Sequence, residues 1–92
     1  MLKLVPTTQY KKDRKRAIKQ GKNMKLLDEV LEKLCAEKTL DPKRRDHALS
    51  GDMAGFRECH VQSDWLLIYA VDKGQLILTA ARTGSHSDLL NK

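Results

Sequence analysis

The run Trp65-Leu66-Leu67-Ile68-Tyr69-Ala70-Val71 constrains this chain more than any other stretch. It is far too short to span a bilayer, which takes roughly 20 apolar residues. It also lacks the alternation that would separate a wet face from a dry one. Such a run reads as a strand apolar on both faces, which has to be covered on both sides and therefore belongs at the middle of a sheet. Its neighbours are close in sequence. Phe56 to Val61 alternates in the manner of a strand, and Gln62-Ser63 makes a tight turn into the central run. Asp72-Lys73-Gly74 reads as a hairpin turn with Gly74 taking a positive φ, followed by a last strand from Gln75 to Arg82 that Thr83-Gly84 closes.

The N-terminal half supplies the cover. Leu2 to Val5 is a short apolar strand ending at Pro6, where the backbone donor is lost. Thr7 or Thr8 can cap a helix from Tyr10 to Gln20, whose few apolar residues (Tyr10, Ala17, Ile18) are outnumbered by Lys11, Lys12, Arg14, Lys15, Arg16 and Lys19. This helix is basic and mostly solvated. Gly21 can end it in the left-handed conformation, and Asn23 is a good N-cap for a second helix. There Leu26, Leu27, Val30, Leu31, Leu34 and Cys35 form one apolar stripe between Met24 and Glu37. Two antiparallel helices packed on a sheet is the natural arrangement. Asp41-Pro42 ends the helical half, Lys43 to His47 is a charged connection, Ser50 to Gly55 is a loop, and Ser85 can cap a final helical turn reaching Leu90.

With 92 residues, the chain is expected to form one domain over 1–92. Eighteen Lys and Arg against twelve Asp and Glu leave a net charge of +6, which points toward a polyanionic partner: nucleic acid, an acidic protein or an anionic membrane. No run is long enough to span a membrane and the N-terminus has no signal-peptide pattern, so a cytoplasmic protein is expected. Cys35 and Cys59 read as free thiols, and Cys59-His60 alone cannot make a zinc site.

Antiparallel partners carry residue numbers of nearly constant sum. A tight turn after Val71 sets Asp64 and Trp65 opposite Arg82 and Ala81, and the Gln62-Ser63 turn brings His60 and Val61 beside Asp64 and Trp65. His60, Asp64, Arg82 and His86 are therefore expected at one end of the sheet. Two imidazoles, a carboxylate and a guanidinium are the parts needed to cut RNA with its own 2′-hydroxyl as nucleophile and no metal. A base takes the 2′-OH proton, an acid protonates the departing 5′-oxygen, and a fixed cation stabilises charge building on phosphorus. Histidine, with an ordinary pKa of about 6.5, suits both proton roles. Each residue taken singly also has a plainer reading. A histidine is commonly just a half-exposed polar residue. Asp64 and Arg82 could form a cross-strand ion pair worth about 0.2–1 kcal/mol, and Trp65 could be core.

Four motifs stand in order: Asp46-His47-Ala48-Leu49-Ser50-Gly51, Phe56-Arg57-Glu58-Cys59-His60-Val61, Asp64-Trp65-Leu66-Leu67-Ile68-Tyr69 and Arg82-Thr83-Gly84-Ser85-His86. Together they resemble YafQ-type toxins, and the strand–helix–helix–sheet order resembles the RelE/ParE toxin superfamily. All three histidines fall on motif positions. The resemblance implies a RelE-like α+β fold, with an N-terminal strand and two-helix hairpin packed on a small antiparallel-dominated sheet and a short C-terminal helix. It implies a type II toxin, neutralised by an antitoxin, that enters the ribosomal A site and cleaves mRNA during translation without a cofactor or metal. It further implies His47, His60, Asp64 and His86 as the catalytic set, with Arg82 near the scissile phosphate and Trp65 beside the site. His86 is then the general acid, and His60 or Asp64 serves or orients the base. Arg57 is an expected RNA or phosphate contact. Lys43, Arg44 and Arg45, with the lysines and arginines of the first helix, would add non-specific attraction to ribosomal RNA. The chain departs from the family where Leu89-Leu90 stand near a position that often holds an aromatic.

Two other readings use the same fold. A ParE-like gyrase poison would bind protein and have no need of clustered imidazoles. A non-catalytic module that binds RNA or an antitoxin would bind tightly and cut nothing.

Overall fold

The structure is a computed structural model and describes residues 1–90; of Leu90 only the backbone is described. The Leu89-Leu90 departure therefore lies partly outside the described residues. Local signals set the helix limits. The Thr7 hydroxyl accepts from the Tyr10 N–H and opens α1 (Thr8–Lys19), so capping happens at the first of the two candidate threonines. At the other end Gly21, with φ 76°, donates to the Ile18 carbonyl while Lys22 donates to Ala17, the paired bonds that close a helix through a left-handed residue. Asn23 accepts from the Lys25 N–H and starts α2 (Met24–Cys35). This second helix stops two residues before the expected Glu37, because Glu37 itself takes the left-handed role at φ 60°. A non-glycine there is sterically disfavoured, and no sequence signal marks it.

The strands are β1 (Lys3–Pro6), β2 (His47–Ala48), β3 (Arg57–Gln62), β4 (Trp65–Asp72) and β5 (Ile77–Gly84), followed by α3 (His86–Leu90). They form one sheet in the order β1-β5-β4-β3-β2. Among the described residues only the β1–β5 pairing is parallel. The fold is thus α+β with an antiparallel-dominated sheet, and the doubly apolar strand β4 lies at its centre, buried from Trp65 through Tyr69. Leu27, Val30, Leu31 and Leu34 of α2 meet Cys59 and Val61 of β3 and Trp65, Leu67 and Tyr69 of β4 in the core. Each such aliphatic side chain stabilises the fold by about 1.5–3 kcal/mol through removal from water. Cys35 and Cys59 are free thiols, and burial pushes the Cys59 thiol up to about 12. No helix among the described residues is long and apolar enough to cross a membrane.

β2 corrects the reading of Lys43 to His47 as a plain charged connection. His47 pairs with Glu58 and Ala48 with Arg57, adding a two-residue outer strand. The hairpin after Val71 is also longer than expected. Asp72 pairs with Ile77, leaving Lys73 to Leu76 as the loop, and the left-handed residue is Leu76 at φ 56° rather than Gly74.

Candidate active site

The longer loop shifts the register of β5 against β4. Leu66 lies opposite Gly84 and Ile68 opposite Arg82, so Asp64 does not face Arg82 as the tight-turn expectation had it. On the other side Gln62 pairs with Trp65 and His60 with Leu66, with an irregularity at Val61, so the turn is Ser63-Asp64 and Asp64 sits at its tip. Both shifts move residues along the strands without dispersing them. β5 runs on to Gly84 and delivers His86 directly to the Asp64 turn.

The start of α3 is fixed by a reciprocal pair of bonds. The Asp88 N–H donates to the Ser85 hydroxyl at 3.1 Å, and the Ser85 N–H donates to Asp88 Oδ2 at 3.2 Å. Gly84 permits this closeness, since a Cβ there would lie 3.0 Å from that of Asp88. One oxygen of Asp64 then holds His86 twice, accepting from its backbone N–H at 3.0 Å and lying 2.7 Å from Nδ1. A carboxylate oxygen only accepts, so Nδ1 carries the proton, and Nε2 makes no hydrogen bond among the described residues. The same two bonds, the backbone one foremost, lower the Asp64 carboxyl below its ordinary value. Asp64 thereby stays ionised beside the His86 ring.

His60 lies beside this pair. The His60 and His86 ring centroids are 5.8 Å apart and the planes are tilted by 44°. Burial lowers the His60 pKa below its ordinary value, with Arg45, His86 and His47 adding to the effect and Glu58 opposing it. Its Nδ1 is buried and has no hydrogen-bond partner among the described residues, so a second proton on the ring gains no acceptor there. Both effects favour the neutral His60 ring, the form a general base requires.

His47 occupies the next strand out. It pairs with Glu58, which precedes His60 by two residues and therefore shares its face of the sheet. Both His47 ring nitrogens look at acceptors, Nδ1 at the Arg45 carbonyl at 2.6 Å and Nε2 at Glu58 Oε1 at 3.5 Å. Lys43, Arg44 and Arg45 line a cleft of about 520 Å³ that opens onto His60, Gln62 and Ser63. Arg44 Nη1 donates to the Val61 carbonyl, which braces the irregular end of β3. Among the described residues no group of three or more His, Cys, Asp or Glu side chains is gathered so as to hold a metal ion.

Two expected contacts, Arg57 and Trp65, fall elsewhere, and a third, Arg82, does not meet Asp64. Arg57 shares the alternation of Cys59 and Val61, the covered face, and pairs with Asp46 at 3.2 Å, whose carboxylate also accepts from the Tyr69 hydroxyl. It points away from His60 because a strand sends odd and even residues to opposite faces. Trp65 is 1% exposed, its Nε1–H donates to Thr83 Oγ1 at 2.9 Å, and the Lys22 ammonium lies 5.5 Å from its ring centroid. No face of it is left for a base to stack on. Arg82 makes no pair with Asp64; its Nε and Nη2 donate to Asp13 at 2.9 and 3.2 Å. Asp13 is the residue that sequence reasoning passed over. Its signal was present: it stands three residues after Tyr10 and four before Ala17, on the one buried line of an otherwise basic helix.

A small α+β domain that sets two histidines and a carboxylate at one end of a five-stranded sheet is built like the toxins of bacterial type II toxin–antitoxin systems, as comparison with solved structures bears out. A metal-bound toxin from Helicobacter pylori is 42% identical and superposes with a TM-score of 0.91, the match covering 97% of this chain and 99% of that one. The Escherichia coli DinJ-YafQ complex gives 32% identity and a TM-score of 0.88, over 97% of this chain and 98% of that one. The mRNA interferase toxin YafQ of Escherichia coli K12 is 40% identical over 83 residues, 88% of this chain and 87% of its own length. Residues 2–91 match the family described as bacterial toxin of type II toxin-antitoxin system, YafQ, and the chain belongs to that family.

Proposed function

We propose that this toxin is an endoribonuclease that cuts mRNA on the ribosome by histidine acid–base chemistry. The observation that carries the reading is the His60–His86 pair, 5.8 Å between ring centroids, with Asp64 fastened to Nδ1 of one ring. His60 removes the proton from a ribose 2′-hydroxyl as that oxygen attacks the adjacent phosphorus. The bond to the 5′-oxygen breaks, and His86 donates the Nε2 proton that the departing oxygen takes up, leaving a 2′,3′-cyclic phosphate and a free 5′-hydroxyl. Asp64 orients the acid rather than serving as the base, because its carboxylate is committed to His86. The Arg44-Arg45 side of the cleft adds positive charge where the phosphodiester would lie, and His47 stands beside it against the Arg45 carbonyl.

The basic surface supports the ribosome-bound part of this reading. Lys11, Lys12, Lys15 and Lys19 are exposed along α1, and Lys43 and Arg45 rim the cleft. These residues attract ribosomal RNA without reading its sequence. Raising salt from about 50 to 200 mM is expected to weaken ribosome association by at least tenfold while leaving His60 and His86 chemistry in place, as sedimentation binding would measure. A salt-independent affinity would remove the electrostatic account. An antitoxin is the natural partner, since the similar YafQ of E. coli is seen in complex with DinJ. Purified toxin incubated with a translated message, mapped by primer extension with and without ribosomes, tests the reading. Cuts that need the ribosome and vanish with added antitoxin are expected, and toxicity without cuts would favour a gyrase-directed poison.

The lowered His60 pKa has a consequence for pH. The base works unprotonated, so its contribution is complete above the lowered value and is lost as pH falls through it. The acid limb of kcat/KM is therefore expected below pH 6.5, the ordinary histidine value. Replacing His60 by Gln should remove that limb along with most of the rate. A profile flat from about pH 5 to 9 would argue against histidine chemistry.

A further inference from the structure

We propose that Asp13 is a positioning residue, a buried carboxylate on α1 that directs Arg82 and holds the end of β5 from which His86 is delivered. The inference rests on the reading of His86 as a reacting ring. β1 pairs with β5 only as far as Pro6 opposite Ala80, so the last residues of β5 have no strand on that side. Asp13 fills the gap: Oδ2 accepts from the Thr83 N–H at 3.2 Å and from Arg82 Nε at 2.9 Å, while Oδ1 accepts from Arg82 Nη2 at 3.2 Å and Gln9 Nε2 at 3.1 Å. Its side chain is 0% exposed, and burying a carboxylate is unfavourable unless it is paired and hydrogen-bonded as this one is.

The clamp has directional consequences that an apolar residue could not reproduce. With Nε and Nη2 engaged, the Arg82 guanidinium is locked in plane, and Nη1 makes no hydrogen bond among the described residues. Thr83, held at its amide by Asp13, also accepts from Trp65 and donates to the Leu66 carbonyl at 2.7 Å, so the strand end is gripped from both sides. One turn along α1, Arg16 bridges Asp13 at 4.0 Å and Asp88 at 3.6 Å. Asp88 is the residue that caps Ser85 immediately before His86. Two links thus run from one helix to the segment carrying His86, and geometry at a reacting group is worth up to about a hundredfold per ångström of misplacement.

The test compares wild type, Asp13→Asn and Arg16→Gln, each checked for folding by circular dichroism. His86→Ala serves as a separate control. Asp13→Asn keeps the shape but loses the charge that grips Arg82. It is expected to lower kcat by about 10- to 100-fold with KM changed less than about threefold, and to move the NMR signals of the His86 ring while those of His47 stay put. Arg16→Gln, at an exposed position, should act in the same direction with a smaller effect. A folded Asp13→Asn protein with wild-type kcat and unmoved His86 signals overturns the proposal, as does a loss confined to KM. If Asp13→Asn does not fold, Arg16→Gln decides by the same two readouts. Wild-type cutting by His86→Ala would remove the acid role of His86, whereas the ring signals still report whether Asp13 positions it.

Discussion

Replacing His86 by Ala is expected to lower the cleavage rate by about 10²–10⁴-fold, the usual contribution of a positioned general acid. The loss should fall on kcat if the ring protonates the leaving oxygen as proposed, since its removal leaves the basic cleft intact. Stability should change by less than about 0.5 kcal/mol, since His86 is exposed and its backbone N–H keeps the bond to Asp64. Single-turnover cleavage with a thermal melt on the same preparation measures both quantities. A variant that cuts within a few-fold of wild type would leave the His60–His86 pair without a chemical role.

The second large effect is on stability. Trp65→Ala is expected to cost about 3–5 kcal/mol, the range for removing a large buried aromatic side chain. In a domain of this size that corresponds to a Tm lower by at least about 12 °C. Trp65→Phe keeps an aromatic ring of smaller volume and loses the Nε1–H bond to Thr83, a buried bond whose loss alone costs about 1–3 kcal/mol. RNA affinity of the folded Phe variant should equal that of wild type, as the ring is covered by the core and by Lys22. A Phe variant with unchanged Tm and weakened RNA binding would return Trp65 to the substrate side.

These two residues also mark how legible the chain was. Trp65 begins the doubly apolar run that must be central, and the burial that follows from that placement removes it from the site. His86 could be assigned to the end of the sheet because it follows Arg82, which hairpin pairing sets near Asp64, yet its contact with Asp64 came through registers different from those read. The loop after Asp72 is longer than a tight hairpin, and the left-handed residues Glu37, Arg45 and Leu76 carry no glycine to announce them.

What the amino-acid order alone determined is whatever acts over a few residues: the caps at Asn23 and Ser85 and one at Thr7 or Thr8, the apolar stripe of α2, the central β4, and the surplus of basic charge. These depend on hydrogen bonds within a turn and on side-chain period, both readable along the chain. Only the tertiary structure decided that Asp13 takes Arg82, that Asp64 takes His86, and that Arg57 faces away from the site. A carboxylate can satisfy any cation within reach, and which one comes within reach is set by strand register and by the packing of α1 against the end of β5 that β1 leaves unpaired, neither of which leaves a local trace.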